Sequence, residues 1–206
     1  MAYRRRRQVN AGVERAPNIA IKRAMQRIMI IRHAEKHLGT DEHGVNLQGH
    51  PAHHELTVRG WQRSGALVPF FAPAGGHAAD AAISTPKSIM ASAATKQSPS
   101  LRAQHTVKPL ADLLGVGIDK RFPDGDEIDA AVAALAAPSP LLICWHHSHI
   151  PIFARLIAGA ALPCPTHWPD DCFDVVWVLD RDDEHDPWRF TQVVQRLFLN
   201  DRSEPI

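Results

Sequence analysis

The run Ile28-Met29-Ile30-Ile31 is the feature that most constrains this chain, because it stops abruptly at Arg32-His33. Four consecutive large apolar residues, three of them β-branched, predict a strand buried on both faces, as in the parallel sheet of an α/β protein. In such sheets the working residues lie in the crevice at the carboxyl ends of the strands. Arg32 and His33 fall at that end. A neutral imidazole is a competent nucleophile toward phosphorus, and a guanidinium offers a fork of donors to phosphoryl oxygens at any pH.

A second run, Leu141-Leu142-Ile143-Cys144-Trp145, repeats the arrangement and delivers His146-His147-Ser148-His149, with Pro151 opening a helix expected to run to Leu162. Between the two runs, Leu56-Thr57-Val58-Arg59-Gly60-Trp61-Gln62-Arg63 opens an amphipathic helix with Thr57 as N-cap. A short strand is expected over Ser88 to Ser92. Ser100-Leu101-Arg102-Ala103-Gln104-His105-Thr106 then begins a helix ending near Gly115. Free N–H groups at a helix amino terminus favour a phosphate, and Arg102 adds a formal charge there. A short strand within Gly115 to Asp119 precedes the turn Arg121 to Glu127 and an Ala-rich helix from about Ile128 to Ala137. Asp126 and Glu127 suit capping and first-turn charge complementation of that helix. Val175 to Asp180 and Trp188 to Phe198 predict an antiparallel edge hairpin, with the tryptophans of this region in the core.

Arg32-His33-Ala34-Glu35, the Leu56–Arg63 segment, Ser100-Leu101-Arg102-Ala103-x-x-Thr106 and the Trp145-His146-His147 to Ile150-Pro151 stretch together resemble the histidine phosphatase superfamily, the phosphoglycerate mutase-like proteins. The second segment is similar to that family's Leu-Thr-x-x-Gly-x-x-Gln. The resemblance implies a three-layer α/β/α sandwich with a mostly parallel central sheet and an antiparallel edge strand. It implies a metal-independent phosphatase, hydrolysing a phosphomonoester or phosphohistidine through a phosphohistidine on His33. Arg32, Arg102 and a protonated His147 would surround the phosphoryl oxygens, with no cofactor. His146 stands where the subgroup carries an acid, so the proton donor is open among Asp124, Asp126 and Glu127. The resemblance leaves two other functions standing: a phosphate-sensing or scaffold protein, and a phosphoglycerate mutase-type phosphotransferase. The implied partner is a small phosphate ester or a phosphoprotein.

Composition narrows the remaining classes. The 206 residues, 45% apolar and 22% charged, suit one α/β domain, expected over 27–206. No apolar stretch is long enough for a membrane span, and Arg4 to Arg7 is not followed by a signal-peptide core, so a cytoplasmic protein is expected. Three cysteines without framework spacing fit reduced thiols. Cys164, His167 and Cys172, like the His-rich loop 37–55, lack the four-ligand pattern of structural zinc, and no metal is expected. Residues 1–27 carry eight basic groups and one acidic group, a formal +7, against 15 and 21, a formal −6, in the rest. The 1–26 stretch is read as a disordered basic extension, and without a nucleic-acid fold signature no nucleic-acid partner is expected.

Overall fold

The computed structural model describes residues 25–39 and 43–206. Its first strand, β1 (Gln26–Arg32), is central, and Ile28 to Ile31 are no more than 1% exposed. Successive side chains of a strand point to opposite faces. Ile28 and Ile30 therefore join one core and Met29 and Ile31 the other. With both faces covered, no polar alternation is left in the sequence of the strand.

The elements that follow are α1 (Val58–Phe71), β2 (Ser88–Ala91), α2 (Arg102–Leu114), β3 (Ile118–Asp119), α3 (Glu127–Ala136), β4 (Leu141–Trp145), α4 (Ile150–Ala158), β5 (Val175–Arg181) and β6 (Arg189–Val194). They form a six-stranded sheet in the order β3-β2-β4-β1-β5-β6. β1 to β4 are parallel, β5 runs antiparallel to β1, and β6 runs antiparallel to β5 on the outside. Leu67, Phe71, Val107 and Leu110 of α1 and α2 cover one face; Ala130, Ala134, Phe153 and Ile157 of α3 and α4 cover the other. This is the three-layer α/β/α arrangement of a mixed, mostly parallel sheet. Trp145, Trp168 and Trp177 are fully buried in the α3/α4 core, with Trp188 packed at its margin. No helix among the described residues is long and apolar enough to cross a membrane.

Several boundaries differ from the sequence reading for local reasons. Gln26 already belongs to β1, so the expected division between residues 26 and 27 falls inside a strand. The rest of the expected extension, residues 1–24, lies outside the described residues. α4 stops at Ala158 instead of Leu162 because Gly159 leaves the helical region with φ +96. β6 stops at Val194, short of Phe198, and Arg196 turns the chain with φ 51. Asp126 occupies the N-cap position of α3 but makes no side-chain cap bond; Glu127 instead accepts the Gly125 N–H at 2.9 Å.

The chain after β1 is fastened to α1. Thr57 caps that helix through the Gly60 N–H (3.2 Å), and the Thr57 N–H donates to the Glu35 carbonyl (3.0 Å). The Glu35 carbonyl passes so close to Gly60 that no side chain fits there. Arg63 stands where the resembled segment has glutamine. It is buried, with bonds to both Glu35 carboxylate oxygens, both Asp201 oxygens and Gln195 Oε1. A Gly60→Ala substitution should therefore destabilise the protein by about 1–3 kcal/mol through overpacking. Helix propensity alone predicts a gain of about 1 kcal/mol, so the sign of the change in thermal or denaturant unfolding decides between the two.

Candidate functional site

The carboxyl ends of β1, β2 and β4 meet at one edge of the sheet, and the chain leaves them as His33, Ser92 and His146. Arg32 lies opposite Trp145, and the His33 N–H continues the ladder to the Trp145 carbonyl at 3.2 Å. The two histidine-bearing ends are thereby held side by side, as the two buried runs of the sequence required.

His33 is 3% exposed, and its Nδ1 lies 2.7 Å from the Ala34 carbonyl. A carbonyl can only accept, so Nδ1 carries the proton and Nε2 keeps its lone pair. Burial, reinforced by the neighbouring Arg32 charge, pushes the imidazole well below its ordinary pKa of 6.5 and keeps it neutral. The turn is fixed from α2: Thr106 Oγ1 accepts the Ala34 N–H at 2.8 Å and donates to the Arg102 carbonyl at 2.7 Å. Thr106 of the second arginine motif therefore acts on the backbone beside the first histidine.

Arg32 is 1% exposed and stacks 3.9 Å over the Phe173 ring. Its Nη1 donates to the carbonyls of Pro169, Asp170 and Cys172. Burial lowers its pKa to about 10, which leaves it cationic at neutral pH. Arg102 is tied to the histidine-rich loop through the carbonyls of Glu55 (3.1 Å) and His53 (2.7 Å), and to Ser100 Oγ (3.3 Å). Lys36 adds a third cation, its pKa lowered by partial burial and then by Arg32 and Arg102.

His147 Nε2 lies 2.5 Å from Asp170 Oδ1. Burial and Arg32 together outweigh Asp170 and push His147 down to about 4. The carboxylate can only accept, so His147 donates its Nε2–H to Asp170. His146 stacks between the other two histidines, 4.4 Å from the His147 ring and 6.0 Å from that of His33, and is likewise lowered to about 4 by burial.

A cavity of about 210 Å³ opens here, lined by His33, His54, Ser92, Arg102, Asp124 and His146 among others. The three acids left open by the sequence separate. Asp124 is in the wall, and burial raises it to about 6. Asp126 is exposed outside the cavity. Glu127 does not line it and holds the Trp145 indole N–H at 3.0 Å and His149 Nδ1 at 2.9 Å; burial raises its pKa, but the Gly125 N–H, then Trp145 and His149, leave it lowered. Sequence reasoning missed Asp170, which lies in no motif, and Ser92, whose only signal was its place at the end of a short predicted strand. Among the described residues no group of three or more His, Cys, Asp or Glu side chains is arranged to hold a metal ion. Cys144, Cys164 and Cys172 are all free and buried.

Among the described residues, the buried side-chain nitrogens and oxygens without a hydrogen-bond partner are Arg32 Nε and Nη2, His33 Nε2, Asp124 Oδ1 and His147 Nδ1. All belong to this site. Each such atom costs about 1–3 kcal/mol unless something satisfies it. The set comprises two cationic donors, a nucleophilic lone pair, a carboxyl oxygen and an imidazole nitrogen, which is what a tetrahedral oxyanion and a group leaving it would engage.

No family model matches the sequence, and no curated protein matches it. Among solved structures, the chain is similar to mycobacterial glucosyl-3-phosphoglycerate phosphatase, with 15% identity over 81% of this chain and 97% of that chain and a TM-score of 0.46. Mycobacterial hydrolase 1 gives the same values. Mycobacterial hydrolase 2 gives 11% identity over 81% and 89%, with a TM-score of 0.42.

The lowered histidines make folding pH-dependent. His33, His146 and His147 have folded pKa values below that of an unfolded histidine, so the unfolded chain binds more protons between those values. Stability should be fully present above about pH 6.5 and should fall as pH drops toward 4, more steeply than one titrating group allows. Denaturant unfolding across that window checks the sign.

Proposed function

We propose that the protein is a metal-independent phosphatase that hydrolyses small phosphate monoesters through a phosphohistidine on His33. The observation that carries this reading is the set of partnerless buried atoms at one end of the sheet: a lone pair on His33 Nε2 and Asp124 Oδ1, both from residues lining the cavity, with unused donors on the adjoining Arg32.

In this reading the phosphoryl group lies against Arg32 and Arg102, whose fixed charges stabilise its equatorial oxygens; such positioning and charge dominate catalysis of phosphoryl transfer. His33 Nε2 attacks phosphorus in line while the P–O bond to the leaving group breaks. Asp124, protonated, delivers its proton to that oxygen and leaves as a carboxylate. A water then approaches phosphorus from the same side and gives its proton back to Asp124. The P–N bond breaks, and inorganic phosphate and neutral His33 are regenerated. The Nδ1–H bond to Ala34 keeps the attacking nitrogen unprotonated through the cycle. The raised Asp124 carboxyl favours turnover over phosphate sensing, because a sensor needs no proton donor poised near neutral pH.

The lining beyond the phosphoryl position, with Gln97, Ser98, Ser100 and His54, is polar and small, which favours a hydroxylic metabolite over a protein substrate. A mutase-type return of the phosphoryl group would require a tight grip on both product and intermediate, and the exposed Gln97 and Pro99 leave the cavity open to water on that side.

A phosphatase screen over phosphorylated metabolites, with His33→Ala as control, tests the reading: the wild type should turn over members of the panel and the variant none. Asp124→Asn should lower kcat/KM for alkyl phosphates by about 10²–10⁴-fold, yet spare p-nitrophenyl phosphate, whose leaving group needs no proton. For alkyl phosphates kcat/KM should fall as pH rises past about 6, where free Asp124 loses its proton. Equal losses on both substrate types would remove Asp124 from the role.

A further inference from the structure

We propose that Asp170 is a positioning residue: it holds His147 through Nε2, so that the imidazole takes up a proton at the partnerless Nδ1 when a phosphoryl group arrives. This rests on the phosphatase reading above and assigns a regulator of charge within that site.

The Asp170 carboxylate can only accept, so at 2.5 Å it fixes His147 with the proton on Nε2. Nδ1 is left as a buried lone pair without a partner. A lone pair repels a phosphoryl oxygen, so this nitrogen serves an anion only after it has gained a proton. The groups acting on the ring are Arg32 from β1, Lys36 from the segment after it, His146 from its own strand end, and Asp170 from the loop before β5. Arg32 and Lys36 oppose protonation, and Asp170 is the acid among them. A phosphoryl dianion in front supplies the missing negative charge. The imidazolium then lies between two anions, with its second proton drawn from solvent.

The loop carrying Asp170 is built to hold position. Trp168, fully buried, donates its indole N–H to the Cys172 carbonyl at 2.9 Å, and the Cys172 N–H closes the turn onto the Pro169 carbonyl at 3.1 Å. The same loop carbonyls, including that of Asp170, receive Arg32 Nη1 and leave Nε and Nη2 as its unused donors. One loop therefore orients both Arg32 and His147 from behind. The Asp170 side chain itself is 78% exposed, so changing it leaves the core untouched.

The test compares wild type and Asp170→Asn, which keeps an acceptor oxygen and removes the charge. With p-nitrophenyl phosphate, which isolates His147 from the Asp124 requirement, the variant should lose roughly ten- to a hundredfold in kcat/KM, the range typical when an imidazole loses its outer carboxylate. The alkaline limb of its pH profile should move to lower pH by about one unit, the low end of the effect of an adjacent opposite charge, because the partner is exposed. Calorimetry of tungstate binding in buffers of different ionisation enthalpy should show proton uptake by the wild type and less by the variant, at unchanged melting temperature. A uniform loss at every pH, with proton uptake equal to wild type, would overturn the proposal and leave the phosphatase reading standing. Failure of tungstate to bind the wild type at all would overturn both.

Discussion

The register of β1 against β4 is the constraint on which the site depends. Arg32 faces Trp145 across a parallel pair, and one further ladder bond from the His33 N–H to the Trp145 carbonyl sets where the two chains leave the sheet. A slip of one residue would exchange the faces of every side chain, sending Ile28 and Ile30 into the wrong core. The apolar runs that bury these strands therefore also decide which histidines can meet. Burial of that kind is worth about 1.5–3 kcal/mol per large aliphatic side chain, enough for a few such residues to hold in place polar atoms that the fold alone leaves unsatisfied.

The surroundings of the site are correspondingly well satisfied. Glu35, Arg63, Asp201 and Gln195 form a closed network beneath the turn that carries His33, and breaking a buried pair of this kind costs about 3–5 kcal/mol. Thr106 holds Ala34, Thr57 holds Glu35, and the 168–174 loop holds Arg32. The contrast with the candidate site lies within a few residues: the Glu35 side chain is fully engaged while His33 Nε2 has no partner.

Much of this was legible in the sequence because the signals were local. The runs at Ile28–Ile31 and Leu141–Trp145 announce strands buried on both faces, Thr57 announces a cap, and Pro151 and Gly115 punctuate helices. Arg32, His33 and Arg102 announce themselves by following or preceding those elements. What stayed hidden depended on distance in sequence. Asp170 meets Arg32 across 138 positions, and Arg63 meets Asp201 across the same number, with no pattern to pair them. Choosing Asp124 over Glu127 required knowing that the Trp145 indole occupies the latter. The lowering of the His147 pKa likewise follows from burial and from Arg32, neither of which a motif encodes.

Whether His33 becomes the phosphoryl carrier is tested most directly by rapid quenching of the protein with a labelled phosphate monoester. The expected result is stoichiometric phosphate on the peptide containing His33, stable in base and released in acid, formed faster than steady-state turnover and absent from His33→Gln. Turnover without any bound label, or label on His146 or His147 instead, would contradict it.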